Sequence, residues 1–157
     1  MYVLPCFHLR QVVAVLALLL PALAANAEVR CVDTIAELNT AVTRADEVDV
    51  EIRLVQGTYD LTNSCLDEAT RCSTDDDLVI KGGYTANCAS QVLDARLTVL
   101  TLPAGGVYLW NAGNAFEGNG DIGIHNLTFR DTPGGVYLST IGNFALPDQS
   151  VSLSRVW

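Results

Sequence analysis

The sequence predicts an all-β fold, a right-handed parallel β-helix (β-solenoid) that begins with an N-terminal amphipathic capping helix. Three observations predict it. The first is an internal repeat, in which Gly105-Gly106-Val107-Tyr108-Leu109 recurs 29 residues later as Gly134-Gly135-Val136-Tyr137-Leu138, and the pair Gly113-Asn114 recurs at the same distance as Gly142-Asn143. The second is a series of short apolar segments broken by Gly, Asn, Asp and Pro, which reads as strands separated by turns. The third is a single convincing helix, placed ahead of the strands. A repeat of 20 to 50 residues marks a solenoid, and a unit made of short strands without a helix implies turns of parallel strands about 4.8 Å apart.

Residues 1–27 have the layout of a cleavable signal peptide. Arg10 precedes an apolar run from Val12 to Leu20, followed by Pro21 and a small-residue stretch ending Ala25-Asn26-Ala27. The run is shorter than the roughly 20 residues that span a bilayer. Cleavage after Ala27 leaves residues 28–157 as one domain, the cap and first turns of the solenoid, large enough for its own core. The expected location is therefore exported: secreted, periplasmic or at the cell surface.

The helix is read over Asp33 to Val42. Thr34 and Glu37 have capping-box spacing, and Ile35, Leu38, Ala41, Val42 and Ala45 share one face. Such a face fits a lid over a first turn whose strand edges would otherwise be open. The period then changes to two, with Val48, Val50, Ile52 and Leu54 alternating with Asp49, Glu51 and Arg53 as in a half-buried strand. A polar excursion over Thr62 to Asp77 precedes Leu78-Val79-Ile80, and Val50-Glu51-Ile52-Arg53 is echoed there at an offset of 28. The 29-residue shift also lays Asp121 to Leu127 over Ser150 to Val156, apolar on apolar. Strands near 50, 78, 97, 122 and 151 are expected to mark successive turns. Val151 to Trp157 reads as an uncapped strand, and solenoids generally carry terminal caps, so the chain is expected to be the front part of a longer solenoid or to have its end covered by another element.

Cys6 falls in the leader, and Cys31, Cys65, Cys72 and Cys88 remain. Four cysteines in an exported chain read as two disulfides, with three pairings open. The preferred one joins Cys65 to Cys72 and Cys31 to Cys88. No C-x-x-C pair accompanies them, which disfavours zinc. The whole chain has nine basic and 18 acidic residues and a net charge of −9. Only Arg10 lies in the leader, so the mature part is near −10, a balance that argues against nucleic acid, whose phosphates are bound through clusters of Lys and Arg.

Few residues offer chemistry. Gly118-Asn119-Gly120-Asp121-Ile122-Gly123 matches G-x-G-x-x-G, but a strand-like segment follows where the dinucleotide motif needs a helix, so it reads as a corner. Asp75-Asp76-Asp77, with Asp67 and Glu68, offers carboxylates for calcium but lacks the alternation of an EF-hand loop and reads as a solvated run. No cofactor is expected. Tyr108, Trp110, Tyr137 and Trp157 suit sugar stacking if they face outward; the recurrence of Tyr favours an aromatic ladder between stacked units. His125 has no nucleophile or carboxylate at motif spacing and reads as a surface or corner residue. Asn126-Leu127-Thr128 is a glycosylation sequon, a pattern common by chance.

The segments Cys31 to Leu38, Ile52 to Tyr59, Ile80-Lys81-Gly82-Gly83-Tyr84-Thr85-Ala86-Asn87-Cys88 and Asn126 to Arg130, behind an export signal, resemble the opening of bacterial right-handed parallel β-helix repeat proteins with a pectin-lyase-like fold. The similarity covers nearly all of the mature chain, and pairing of Cys31 with Cys88 fits it. The family includes polysaccharide lyases, hydrolases and surface adhesins. Its enzymes carry acidic and basic residues on one sheet face of central turns, often with calcium, and no residue here matches such a motif, so no catalytic role is carried over. The resemblance implies a secreted or cell-surface protein with a structural, adhesive or carbohydrate-binding role, with extracellular polysaccharide or another cell surface as partner. The alternative is the N-terminal part of a polysaccharide lyase or glycoside hydrolase whose catalytic turns lie beyond Trp157.

Overall fold

A computed structural model describes residues 26–70, 72–102, 104–111, 120–140 and 150–157. Nearly all of the signal-peptide segment 1–27, the Gly113-Asn114 and Gly142-Asn143 pairs and the start of the G-x-G-x-x-G match lie outside them.

The first element is a strand, β1 (Glu28–Val32), and the helix α1 (Ile35–Arg44) follows it. The capping box forms as its residue types dictate. Thr34 Oγ1 accepts from the Glu37 N–H at 3.2 Å, and Glu37 Oε2 accepts from the N–H groups of Thr34 and Asp33 at 3.2 and 3.0 Å. Leu38, Ala41, Val42 and Ala45 are fully buried from this helix, and the carbonyl of Ala45 at its end accepts from the N–H groups of Asp75 and Asp76. The chain continues through β2 (Val50–Val55), β3 (Gly57–Asp60), β4 (Ser73–Thr74), β5 (Leu78–Tyr84), β6 (Thr98–Thr101), β7 (Val107–Asn111), β8 (Ile122–Arg130), β9 (Val136–Thr140) and β10 (Val151–Val156).

Every pairing between these strands is parallel. A seven-stranded sheet runs β1-β2-β5-β8-β6-β3, with β10 also on β8, and a smaller sheet runs β4-β7-β9. Its core is built by columns of β-branched and leucine side chains. Val50, Leu78 and Ile122 lie side by side, as do Ile52, Ile80 and Ile124, and all six are buried. Each contributes about 1.5–3 kcal/mol by leaving water.

The repeat appears as register. Val107–Asn111 pairs with Val136–Thr140 residue for residue, with the Tyr108 and Tyr137 rings stacked at 4.6 Å between centroids. Val151 pairs with Ile122 and Val50 with Leu78, at the offsets of 29 and 28.

The expected architecture does not follow. The protein is not an all-β right-handed parallel β-helix with a capping helix. It is an alternating α/β arrangement, a curled all-parallel sheet shaped as a half-barrel with an interleaved helix. Two findings overturn the solenoid. The helix is no lid ahead of the first strand, because β1 precedes it and pairs in parallel with β2, which makes α1 the crossover of a β-α-β unit. The segment near residue 97 is not the layer after β5 either. β8 pairs through Ile122–His125 with β5 and through Thr128–Arg130 with β6, so the strand order passes from β5 through β8 to β6 and β3. The physical cause sits in the middle of β8, where Asn126 takes the left-handed conformation at φ 56°. A residue there bends the strand, and the sheet curls with it. An in-register repeat demands parallel neighbours; it does not dictate how the sheet closes.

The structure contains disulfides Cys31–Cys88 and Cys65–Cys72, with Cα separations of 5.7 and 4.8 Å. They fit an oxidising, extracytoplasmic location. Among the described residues no helix is long and apolar enough to cross a membrane.

Candidate functional site

The residues that turn away from the core on β2, β5, β8 and β10 form one polar row. Arg53 neighbours Lys81, Lys81 neighbours His125, and His125 neighbours Ser154. Glu51 binds both cations, with Arg53 Nε at 2.7 Å from one oxygen and Lys81 Nζ at 2.5 Å from the other. Burial opposes the charge on Glu51, but the hydrogen bonds from Lys81 and Arg53 prevail and hold its carboxyl below the usual range. The Arg53 guanidinium also lies 5.4 Å from the Tyr84 ring centroid. His125 Nδ1 lies 2.7 Å from Ser154 Oγ. Burial and then the charge of Lys81 depress the imidazole, so it is neutral at pH 7. The row is internally satisfied, since each charge already has its partner on the same face.

A second set lies where strands begin. Asp49, Asp77 and Asp121 each precede a core strand, and each carboxylate accepts a backbone N–H from the next layer: Asp77 N–H to Asp49 at 3.2 Å, Asp121 N–H to Asp77 at 2.7 Å and Ser150 N–H to Asp121 at 2.5 Å. This ladder aligns the strand starts. Burial raises Asp77, a hydrogen bond from the Asp121 N–H opposes that, and the charges of Asp49 and Asp121 add to the rise. Asp76 is raised by burial and then by Asp49, Asp75, Asp77 and Asp46. Among the described residues no group of three or more His, Cys, Asp or Glu side chains is arranged to hold a metal ion.

The ladder gives a pH prediction. A carboxyl whose folded pKa is raised contributes most below its unfolded value near 4, and that contribution is lost as pH rises through the folded value. Asp77→Asn keeps an Oδ1 acceptor for Asp121 and removes the charge. It is expected to raise the melting temperature relative to the parent near pH 7 and to leave it unchanged near pH 3. Equal melting shifts at the two pH values would contradict the assignment.

The third arrangement is a surface groove of about 550 Å³ lined by Leu93, Asp94, Ala95, Arg96, Arg155 and Trp157. Both of its walls are fastened to the second half of β8. On one side, the Asn126 Nδ2 donates to the Val92 carbonyl at 2.8 Å and Thr128 Oγ1 to the Ala95 carbonyl at 3.0 Å. On the other, Trp157 donates its N–H to Leu127 and accepts from the Phe129 N–H. Between these fixed walls, Asp94 and Arg96 form a two-point ion pair, Nε–Oδ1 at 2.9 Å and Nη2–Oδ2 at 2.7 Å. The hydrogen bonds from Arg96 push the Asp94 carboxyl down to about 2, so it is ionised at any working pH. Trp157 is 77% exposed and Leu93 59% exposed. The groove therefore combines a flat apolar platform with a charged fork and the nearby Arg155.

The structure separates the residues singled out in the sequence. Trp157 lines the groove, whereas Tyr108 and Tyr137 stack on each other between β7 and β9; the Trp110 side chain lies outside the described residues. Asn126 of the sequon is 1% exposed, and its Nδ2 donates to the Gly82 and Val92 carbonyls, which leaves no acceptor nitrogen for a glycan. In the G-x-G-x-x-G match, Ile122 and Gly123 already belong to β8, and no helix starts there. Leu93 to Arg96 were missed, because a short turn with exposed Leu and an Asp-x-Arg pair has no distinctive spacing. The strand-start aspartates did leave a trace, since Asp49 and Asp77 are separated by the same 28 residues as their strands. Compared with protein-family models, with curated proteins and with solved structures, the chain matches none of them.

Proposed function

We propose that this chain is an exported carbohydrate-binding protein with an adhesive or structural role, acting in the periplasm, at the cell surface or in the surroundings of the cell, with extracellular polysaccharide or another cell surface as its partner. The groove at Trp157 is the observation that carries this reading. Saccharides present one apolar face of C–H groups and a rim of hydroxyls. An exposed indole suits the first, being amphipathic and rigid, and the Asp94–Arg96 fork suits the second, because both charged groups keep acceptor and donor capacity beyond their mutual bonds. The groove is preorganised, since its walls hang from β8, and preorganisation lowers the entropy cost of binding. The net charge of −9 disfavours nucleic acid.

The test is a glycan array followed by calorimetry on the best ligand. Trp157→Ala is expected to weaken binding about tenfold or more, equivalent to roughly 1.4 kcal/mol, with the melting temperature unchanged. Arrays without a bound glycan, or a Trp157→Ala variant with full affinity, would remove the support for this reading.

A further inference from the structure

The outer face of the large sheet carries two short rows of side chains across β2, β5, β8 and β10. Register sets Glu51, Val79, Gly123 and Ser152 side by side in one, and Arg53, Lys81, His125 and Ser154 in the other. The sheet thereby brings to His125 a hydroxyl from 29 residues away, with Nδ1 2.7 Å from Ser154 Oγ. A serine in hydrogen-bond reach of an imidazole is the nucleophile-and-base pair that sequence spacing did not reveal.

The ring is aimed by what lies beside it. A Cβ at Gly123, on the same face of β8, would stand 3.0 Å from His125 Nε2, 3.2 Å from Ser152 Oγ and 3.4 Å from Val79 Cγ1. Because the residue is glycine, the imidazole lies along β8 over bare backbone, with Nε2 towards Ser152 and Nδ1 towards Ser154. In the tautomer protonated at Nε2, Nδ1 accepts from the Ser154 hydroxyl. Burial and the ammonium of Lys81, opposed by the weaker pull of Glu51, keep the ring neutral and therefore basic at pH 7. Lys81 gives an N–H to Glu51 and keeps further donors for a negative charge that develops nearby. Ser154 is exposed, so a bulky molecule reaches it. Val79 is the one apolar side chain in the two rows, which leaves no cleft for a long acyl chain.

We propose that this face is a hydrolytic site for esters of short carboxylic acids, with Ser154 as nucleophile and His125 as general base. Ser154 Oγ attacks the carbonyl carbon as its proton passes to His125 Nδ1, and the carbonyl oxygen becomes an oxyanion beside the Lys81 ammonium. The ester C–O bond then breaks, the alcohol leaves with the proton from Nδ1, and the acyl group stays on Ser154. Water adds to that acyl group as Nδ1 takes its proton; collapse returns the proton to Ser154 Oγ and frees the carboxylic acid. Ester and water are the only reactants. The site lies on the face of the strands, which further pairing along either edge of the sheet would leave uncovered.

Two probes test this on the exported chain: an alkyl fluorophosphonate, located by peptide mass, and p-nitrophenyl acetate, read as released p-nitrophenol. The fluorophosphonate is expected on Ser154. Ser154→Ala is expected to lose the label and to lower the hydrolysis about tenfold or more, with an unchanged melting temperature. His125→Gln should slow labelling of Ser154 about a hundredfold, the low end of general-base effects. The pH profile reads the same base in the unaltered chain: labelling should hold its rate above neutral pH and fall below about pH 6.5 as the imidazole is protonated. A parent whose Ser154 stays unlabelled overturns the proposal, as does hydrolysis that Ser154→Ala leaves intact, which would mean direct attack by the imidazole. Equal labelling in His125→Gln overturns it too, because Ser154 would then react as any exposed serine does. Neither probe reports on saccharide binding, so this site and the groove at Trp157 stand or fall separately.

Discussion

Replacing Cys31 and Cys88 together with serine is expected to destabilise the protein by about 4 kcal/mol, whereas replacing Cys65 and Cys72 should cost about 2.5 kcal/mol. The difference follows from the loops they close, with sequence separations of 57 and 7. A longer loop removes more entropy from the unfolded chain when it is tied. The longer link also has a local task. Among the described residues β1 is an edge strand paired with β2 alone in the large sheet, and Cys31 fastens it to the turn Ala86–Cys88 that follows β5. Denaturant melts of the two double variants measure the difference. Hydrogen exchange on Cys31→Ser/Cys88→Ser should show lost protection at Glu28–Val32 before any loss in β5 or β8. A larger cost for the Cys65/Cys72 pair would contradict the loop argument.

The second large effect is expected at Gly83. This residue sits at φ +86°, a region L side chains rarely adopt, and a Cβ there would lie 2.2 Å from the Val92 carbonyl oxygen and 2.4 Å from Asn126 Nδ2. Its backbone is held from both sides. The Gly83 N–H donates to Thr98 Oγ1 at 2.8 Å, and its carbonyl accepts from Val92 N–H at 2.8 Å and from Gln56 Nε2 at 3.2 Å. Gly83→Ala therefore combines the left-handed penalty of about 1–2 kcal/mol with overpacking of about 1–3 kcal/mol. A melting temperature lower by on the order of 10 °C is expected. The damage should reach function, because the atoms displaced, Val92 and Asn126, anchor the loop that carries Leu93 and Arg96. Saccharide affinity should fall even at temperatures where the variant is folded. An Ala variant that melts with the parent would show that the bend between β5 and β8 is looser than these contacts imply.

The electrostatics divide the surface by task. Glu51 is clamped between Arg53 and Lys81, and Glu28 is drawn down by the Arg44 hydrogen bond, with Arg30 beside it. These pairs sit on strand faces and at the helix end, where their partners are already fixed. The raised Asp76 and Asp77 work the other way, concentrating like charge where strands begin. Neutral pH is thus a compromise between carboxylates that want to be ionised and a few that do not.

Much of the local structure was written in the chain itself. Thr34 and Glu37 specify the start of α1, because each supplies the bond that the other's backbone lacks. The alternation around Val50, Ile52 and Leu54 specifies a strand with one buried face. The matched segments at residues 107 and 136, and at 122 and 151, specify which strands lie in register, since identical apolar spacing packs best on itself. These are short-range properties, decided by side-chain period and by caps. The path of the sheet was not decided at that range. It depends on Asn126 taking a left-handed turn in the middle of β8, on Gly82 and Gly83 admitting that bend against β5, and on β1 reaching back to pair with β2 across α1. The groove at Trp157 is likewise a product of the tertiary structure, because Leu93 to Arg96 and Trp157 lie some 60 residues apart and meet only where β8 holds both. A repeat can state that neighbouring strands are parallel, but closure is set by where the backbone bends, and that is a balance of contacts among residues far apart in the chain.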